Sequence, residues 1–99
     1  MATFKKVREI QSDGTYVLEV DISEKGIVRT CNKKPKWRSV EKWKFVKSVS
    51  LSKSLVGAGT VTIMLCDGPG ADEEYDLELT WKVKGGDGKA IRKAIEKYL

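Results

Sequence analysis

The stretch YDLELTWKVKGGDGKAIRKAIEKYL, residues 75–99, changes its hydrophobic period midway, and that change decides the fold. Tyr75, Leu77, Leu79, Trp81 and Val83 alternate with Asp76, Glu78, Thr80 and Lys82. This is the period of a strand with one buried face. Past Gly85 and Gly86, the residues Ile91, Ala94, Ile95, Tyr98 and Leu99 fall at i, i+3, i+4, i+7 and i+8, with Arg92, Lys93, Glu96 and Lys97 on the other side. The spacing predicts an amphipathic helix over about 88–99, capped by Asp87. So short a helix is marginal alone, so its apolar stripe must dock on the strands that precede it.

Working outward, the turn before this strand is Asp67-Gly68-Pro69-Gly70-Ala71-Asp72, and before the turn Thr60–Cys66 is a β-branched, apolar run that suits a strand buried on both faces. Trp43, Phe45, Val49 and Leu51 share a period-two face, which predicts a strand, and Trp37–Val40 predicts a short one beyond Pro35. Residues 15–31 predict a hairpin turning at Lys25-Gly26, with Tyr16, Leu18, Val20 and Ile22 inward. In the first segment Phe4, Val7 and Ile10 fit a helical spacing, yet the chemistry around them allows a strand, which is the reading adopted. No repeat or linker divides the chain, so residues 1–99 are expected to form a single domain.

Composition narrows function. The 99 residues include no histidine, which removes the usual general base, the commonest metal ligand and the Ser-His and Cys-His nucleophile pairs. The expectation is a protein that is not an enzyme, with no catalytic residue, metal or cofactor. Cys31 and Cys66 are too few for a disulfide-stapled scaffold, and no apolar run reaches signal or membrane-span length. The expected setting is therefore the cytoplasm, with reduced thiols.

The net charge of +5 is unevenly spread. Residues 30–53 hold Lys33, Lys34, Lys36, Arg38, Lys42, Lys44, Lys47 and Lys53 against Glu41 alone, a block of +7, whereas residues 54–81 carry −6 with no basic residue. Such a polar molecule orients on anionic partners. Trp37 and Trp43 interleave with the cations, the chemistry that stacks bases or meets lipid headgroups.

Glycine motifs fail their tests. Gly85-Gly86-Asp87-Gly88-Lys89 has Val83 where a phosphate loop needs glycine and Ala90 where it needs Ser or Thr. The same glycines look like the clamp loop of KH domains, but that loop joins two helices and here a strand precedes it. The acidic stretch 67–76 lacks calcium-loop spacing.

The order of elements, a run of strands closed by one helix, resembles the pleckstrin-homology superfold, which includes PH and PTB domains and the PH-like lobe of FERM domains. The local likeness is to PTB-type lobes: LEVDIS (18–23), EKG (24–26), IVRTCNKK (27–34), KWRSVEKWKF (36–45), VKSVSLSKS (46–54) and the helix KAIRKAIEKYL (89–99). The resemblance implies a mostly-β α+β domain, a six- or seven-stranded antiparallel bent β-sandwich or partly open barrel capped by the C-terminal helix. It further implies a non-catalytic adaptor or scaffold module that takes a protein or peptide along a strand-helix groove formed by Lys44, Lys47, Ser48, Ser50, Ile91, Ile95 and Tyr98. Lys33, Lys34, Lys36, Arg38 and Lys42 then form an anionic-ligand site favouring phosphoinositide surfaces, with membrane or cytoskeleton association. The basic pattern of phosphoinositide-binding PH hairpins is not met, because Lys5, Lys6 and Arg8 have no counterpart on the next strand. Two other readings stand beside this one: a nucleic-acid-binding domain using the basic-aromatic segment 33–47, and a structural or oligomerising subunit.

Overall fold

The computed structural model describes residues 1–34, 36–53, 58–66 and 77–99. Among these residues seven antiparallel strands form one unclosed sheet, followed by one C-terminal helix: β1 (Ala2–Gln11), β2 (Gly14–Ser23), β3 (Gly26–Cys31), β4 (Trp37–Glu41), β5 (Val46–Lys53), β6 (Ala58–Leu65), β7 (Leu77–Lys84) and α1 (Asp87–Glu96). The order across the sheet is β4-β3-β2-β1-β7-β6-β5, so the first strand meets the last and the sheet curls over its own core.

That core is the set of residues the alternation marks. Leu18, Val20 and Ile22 of β2, Ile27 and Cys31 of β3, Val61, Ile63 and Leu65 of β6, and Trp81 and Val83 of β7 are buried with Ile91 and Ile95 of α1. The helix stripe therefore does what its marginal length requires, packing on β5, β6, β7 and β1. Gly26 opens β3 at φ +133°, and a Cβ there would collide with the Glu41 carbonyl oxygen, so β3 and β4 approach at a point only glycine permits.

Several expectations are corrected. Trp43–Phe45 is a turn of 3-10 helix and not strand, and the register slips between Val46 and Ser48. The bulge puts Lys47 out of the ladder, so Val46, Val49 and Leu51 turn to the core although their spacing departs from two. In β6 only alternate residues are fully buried, so one face and not both serves the core. The helix spans Asp87–Glu96 with Gly86 as its N-cap, and Asp87 lies in its first turn, where the positive end of the dipole favours a carboxylate. Leu99, past the helix end, is exposed. The first segment is the strand adopted for it; the helix-like spacing of Phe4 and Val7 comes from a bulge between them that turns both residues to the core, while Ile10 is exposed. The turn at 67–72, with Tyr75 and Asp76, lies outside the described residues.

Candidate functional site

α1 lies lengthwise beside β5 and runs against it. Near its start, Gly88 packs so closely on Leu51 that a Cβ would stand 2.7 Å from Leu51 Cδ1. Just past its end, Tyr98 stacks on Trp43 with ring centroids 4.9 Å apart and planes 16° off parallel. The Trp43 indole in turn donates to the Ser23 carbonyl oxygen at 2.7 Å, fixing the 3-10 turn to the end of β2. Between these anchors Ile91 and Ile95 are wholly buried, so they support the strand-helix seam from beneath and are not open groove walls. Tyr98 is half-buried, and Lys44, Lys47, Ser48 and Ser50 are exposed along the β5 side.

Among the described residues β5 pairs with β6 alone, which leaves its outer backbone edge without a strand partner. Such an edge is a template for a further strand. The segment from Lys42 to Lys53 contains Lys42, Lys44, Lys47 and Lys53 and no carboxylate. An incoming strand therefore meets backbone hydrogen-bonding groups bordered by positive charge.

The predicted anionic cluster is dispersed along the β4 edge of the sheet, with Lys33, Lys34 and Lys36 at one end of that strand and Lys42 at the other. Lys33, Lys34 and Lys36 are exposed between β3 and β4, Arg38 projects from β4, and Lys42 precedes the 3-10 turn. Trp37 is half-buried: its edge meets Tyr16 at 6.3 Å, and the Arg29 guanidinium sits 5.2 Å from its ring centroid. One aromatic face is thus already engaged by a cation from within the domain.

A buried polar network on the concave face was not expected from sequence. The Glu9 carboxylate accepts from Arg29 Nη1, from Trp81 Nε1 at 2.9 Å and from Gln11 Nε2 at 2.6 Å. Arg29 Nη2 also reaches Glu41 Oε1 at 3.0 Å, and the Ser39 hydroxyl donates to that same oxygen. The network joins β1, β3, β4 and β7, and its acceptors are occupied by the protein's own donors, which marks it as bracing for the sheet. The signal for it was present: Glu9 shares the inward phase of Val7, and Arg29 that of Ile27 and Cys31.

Both cysteines are free thiols, Cys31 buried and Cys66 half-buried. Among the described residues no three His, Cys, Asp or Glu side chains group as metal ligands. No helix among them is long and apolar enough to cross a membrane. No protein-family model matches the chain, and no curated protein matches it.

Proposed function

We propose that the chain is a non-catalytic binding module of the pleckstrin-homology type that takes an extended, acid-bearing segment of a partner protein as an added strand along β5, beside α1. The observation that carries this reading is the edge of β5 that no other described strand pairs, lying beside a docked helix that runs antiparallel to it, in a segment with four lysines and no carboxylate between Lys42 and Lys53. Main-chain hydrogen bonds supply affinity in such recognition, and the flanking charge selects the partner. The exposed cations Lys33, Lys34, Lys36, Arg38 and Lys42 give the module a preferred orientation toward anionic surfaces. An adaptor or scaffold role is the use such a docking edge would serve.

The test is a backbone amide chemical-shift titration of the full chain with an acidic peptide matched to the eight residues of β5. Shifts along Val46–Lys53 and the facing side of α1, lost in Lys44→Glu/Lys53→Glu, support the reading. Shifts confined to 33–42, or stronger binding by an oligonucleotide over the same segment, would favour the nucleic-acid alternative. Concentration-dependent self-association through β5 would favour the structural-subunit alternative.

A further inference from the structure

Two hydroxyl side chains of the chain, and no others, have a lysine three positions before them and another three positions after: Ser39, between Lys36 and Lys42, and Ser50, between Lys47 and Lys53. Cations spaced around an acceptor are what a serine kinase with an acidic substrate groove selects. Along the sequence the two serines are equivalent. The fold separates them.

Ser39 lies on the inward side of β4, opposite Arg29 of β3. It is half-buried, and its hydroxyl donates to Glu41 Oε1 at 2.8 Å, the oxygen that also accepts from Arg29 Nη2. Its oxygen is held inside the bracing network. Ser50 stands in the middle of β5 on the outward face of the sheet, opposite Thr62, while its neighbours Val49 and Leu51 pack on the core. It is exposed, and its hydroxyl has no hydrogen-bond partner among the described residues. β5 is already extended, no other described strand pairs its outer edge, and the bulge between Val46 and Ser48 interrupts its ladder with β6 just before Ser50. An edge strand of this kind opens locally at lower cost than an interior one.

We propose that Ser50 is a phosphorylation site, and that its phosphate closes the β5 edge to acid-bearing segments. The γ-phosphoryl group of ATP passes to Ser50 Oγ: the bond from the γ-phosphorus to its bridging oxygen breaks as the Oγ–P bond forms, ADP leaves, and the hydroxyl proton goes to the kinase's catalytic carboxylate. The phosphate brings a charge of about −1.5 to −2 at neutral pH. It enters a segment, Lys42–Lys53, with four lysines and no carboxylate. An acidic strand then meets like charge at the centre of its docking edge. Ser48 and Ser52 share the exposure of Ser50 but have Phe45 and Val49 three positions before them, so they are references within the same strand. The choice of acceptor stands on this geometry alone, whereas its effect on binding rests on the β5 reading above.

The test is phosphorylation of the full chain by the catalytic domain of such a kinase with ATP and magnesium, mapped by mass spectrometry, beside two peptides spanning residues 36–42 and 47–53. Both peptides are expected to be substrates. In the full chain Ser50 is expected to be modified, and Ser39 to be modified roughly tenfold or more slowly than in its own peptide, because reaction at a protected group tracks the population of the open form. Ser50→Ala is expected to remove the incorporated phosphate. Ser39 reacting in the full chain as fast as in its peptide, Ser50 spared there, phosphate shared equally with Ser48 and Ser52, or two inert peptides would each overturn the assignment. The amide titration with the acidic peptide is then repeated on the modified chain, where binding about tenfold or more weaker than before treatment is expected. Ser50→Ala carried through the same treatment is expected to bind as it did before treatment. Equal affinity before and after modification, with shifts still along Val46–Lys53, overturns the control while leaving β5 as the docking edge. No shift along Val46–Lys53 in the unmodified chain overturns the edge reading and the control together, and the mapping decides the acceptor in either case.

Discussion

Arg29 and Glu9 meet over the top of β2: one guanidinium nitrogen lies 2.7 Å from both oxygens of a carboxylate that is 1% exposed, although the two residues belong to strands that do not pair. Removing one partner of a buried pair strands the other charge away from water, which typically costs about 3–5 kcal/mol. Arg29→Met is therefore expected to lower unfolding free energy by about that amount in a denaturant titration. The double change Arg29→Met/Glu9→Leu is expected to recover a large part of the loss. A single variant as stable as the parent would show that the carboxylate escapes to solvent instead.

A smaller loss is expected at Trp43. Trp43→Phe keeps an aromatic ring against Tyr98 but deletes the hydrogen bond to the Ser23 carbonyl, at a cost of about 1 kcal/mol. Trp43→Ala removes both, and a loss of about 3 kcal/mol or more is expected in thermal or chemical unfolding. Helix amide exchange should report the same ranking, with the last turn of α1 opening first.

The expectations from sequence succeeded where a single alternation controls one strand. Leu18 through Ile22, and Trp81 and Val83 with Ile91 and Ile95, announce their burial by spacing, because a pleat or a helix turn has one fixed period. They failed where an extra residue breaks that period. The bulge at Lys47 merged a 3-10 turn with β5, whereas the one at Lys5–Lys6 gave β1 a helix-like spacing without displacing the strand reading adopted for it. The grouping of basic residues of β1 with basic residues of β7 was illegible for a different reason. Lys5, Lys6 and Arg8 were compared with β2, their neighbour in sequence, whereas their basic counterparts Lys82 and Lys84 lie on β7, brought alongside only by the closing topology.

Gly26→Ala tests the close approach of β3 and β4. The added methyl group meets the Glu41 carbonyl, and the backbone stands at φ +133°, so the substitution combines a backbone clash with a disfavoured conformation. Destabilisation of about 2 kcal/mol or more is expected, with β4 detaching first in amide exchange. Gly14→Ala serves as the comparison, since it also has positive φ at +146° but open space around the missing Cβ, and it is expected to cost less.

Tyr16 makes stability depend on alkaline pH. Its hydroxyl donates to Asp13 Oδ2 at 2.6 Å, and this bond, with the nearby negative charge, raises its pKa above the ordinary phenol value. The protonated form is the one stabilised, so the contribution is complete below the unfolded tyrosine value and disappears as pH rises through the folded one. A tyrosinate absorbance titration is expected to show a late-ionising component that is absent in Tyr16→Phe and moves toward the ordinary range in Asp13→Asn. An unchanged curve in Asp13→Asn would remove the bond from the explanation.

The bond from Trp81 to Glu9 spans 72 positions of chain, and it falls at the two-pair contact between the first strand and the last. During synthesis the β1–β2–β3–β4 meander can assemble from near neighbours, but Glu9 lacks its indole donor until the seventh strand has emerged. Long-range closure of this kind is slow relative to hairpin formation. The growing chain must therefore carry an incompletely satisfied carboxylate inside a half-built sheet, which places the period of greatest vulnerability to misassembly between the completion of β4 and the arrival of β7.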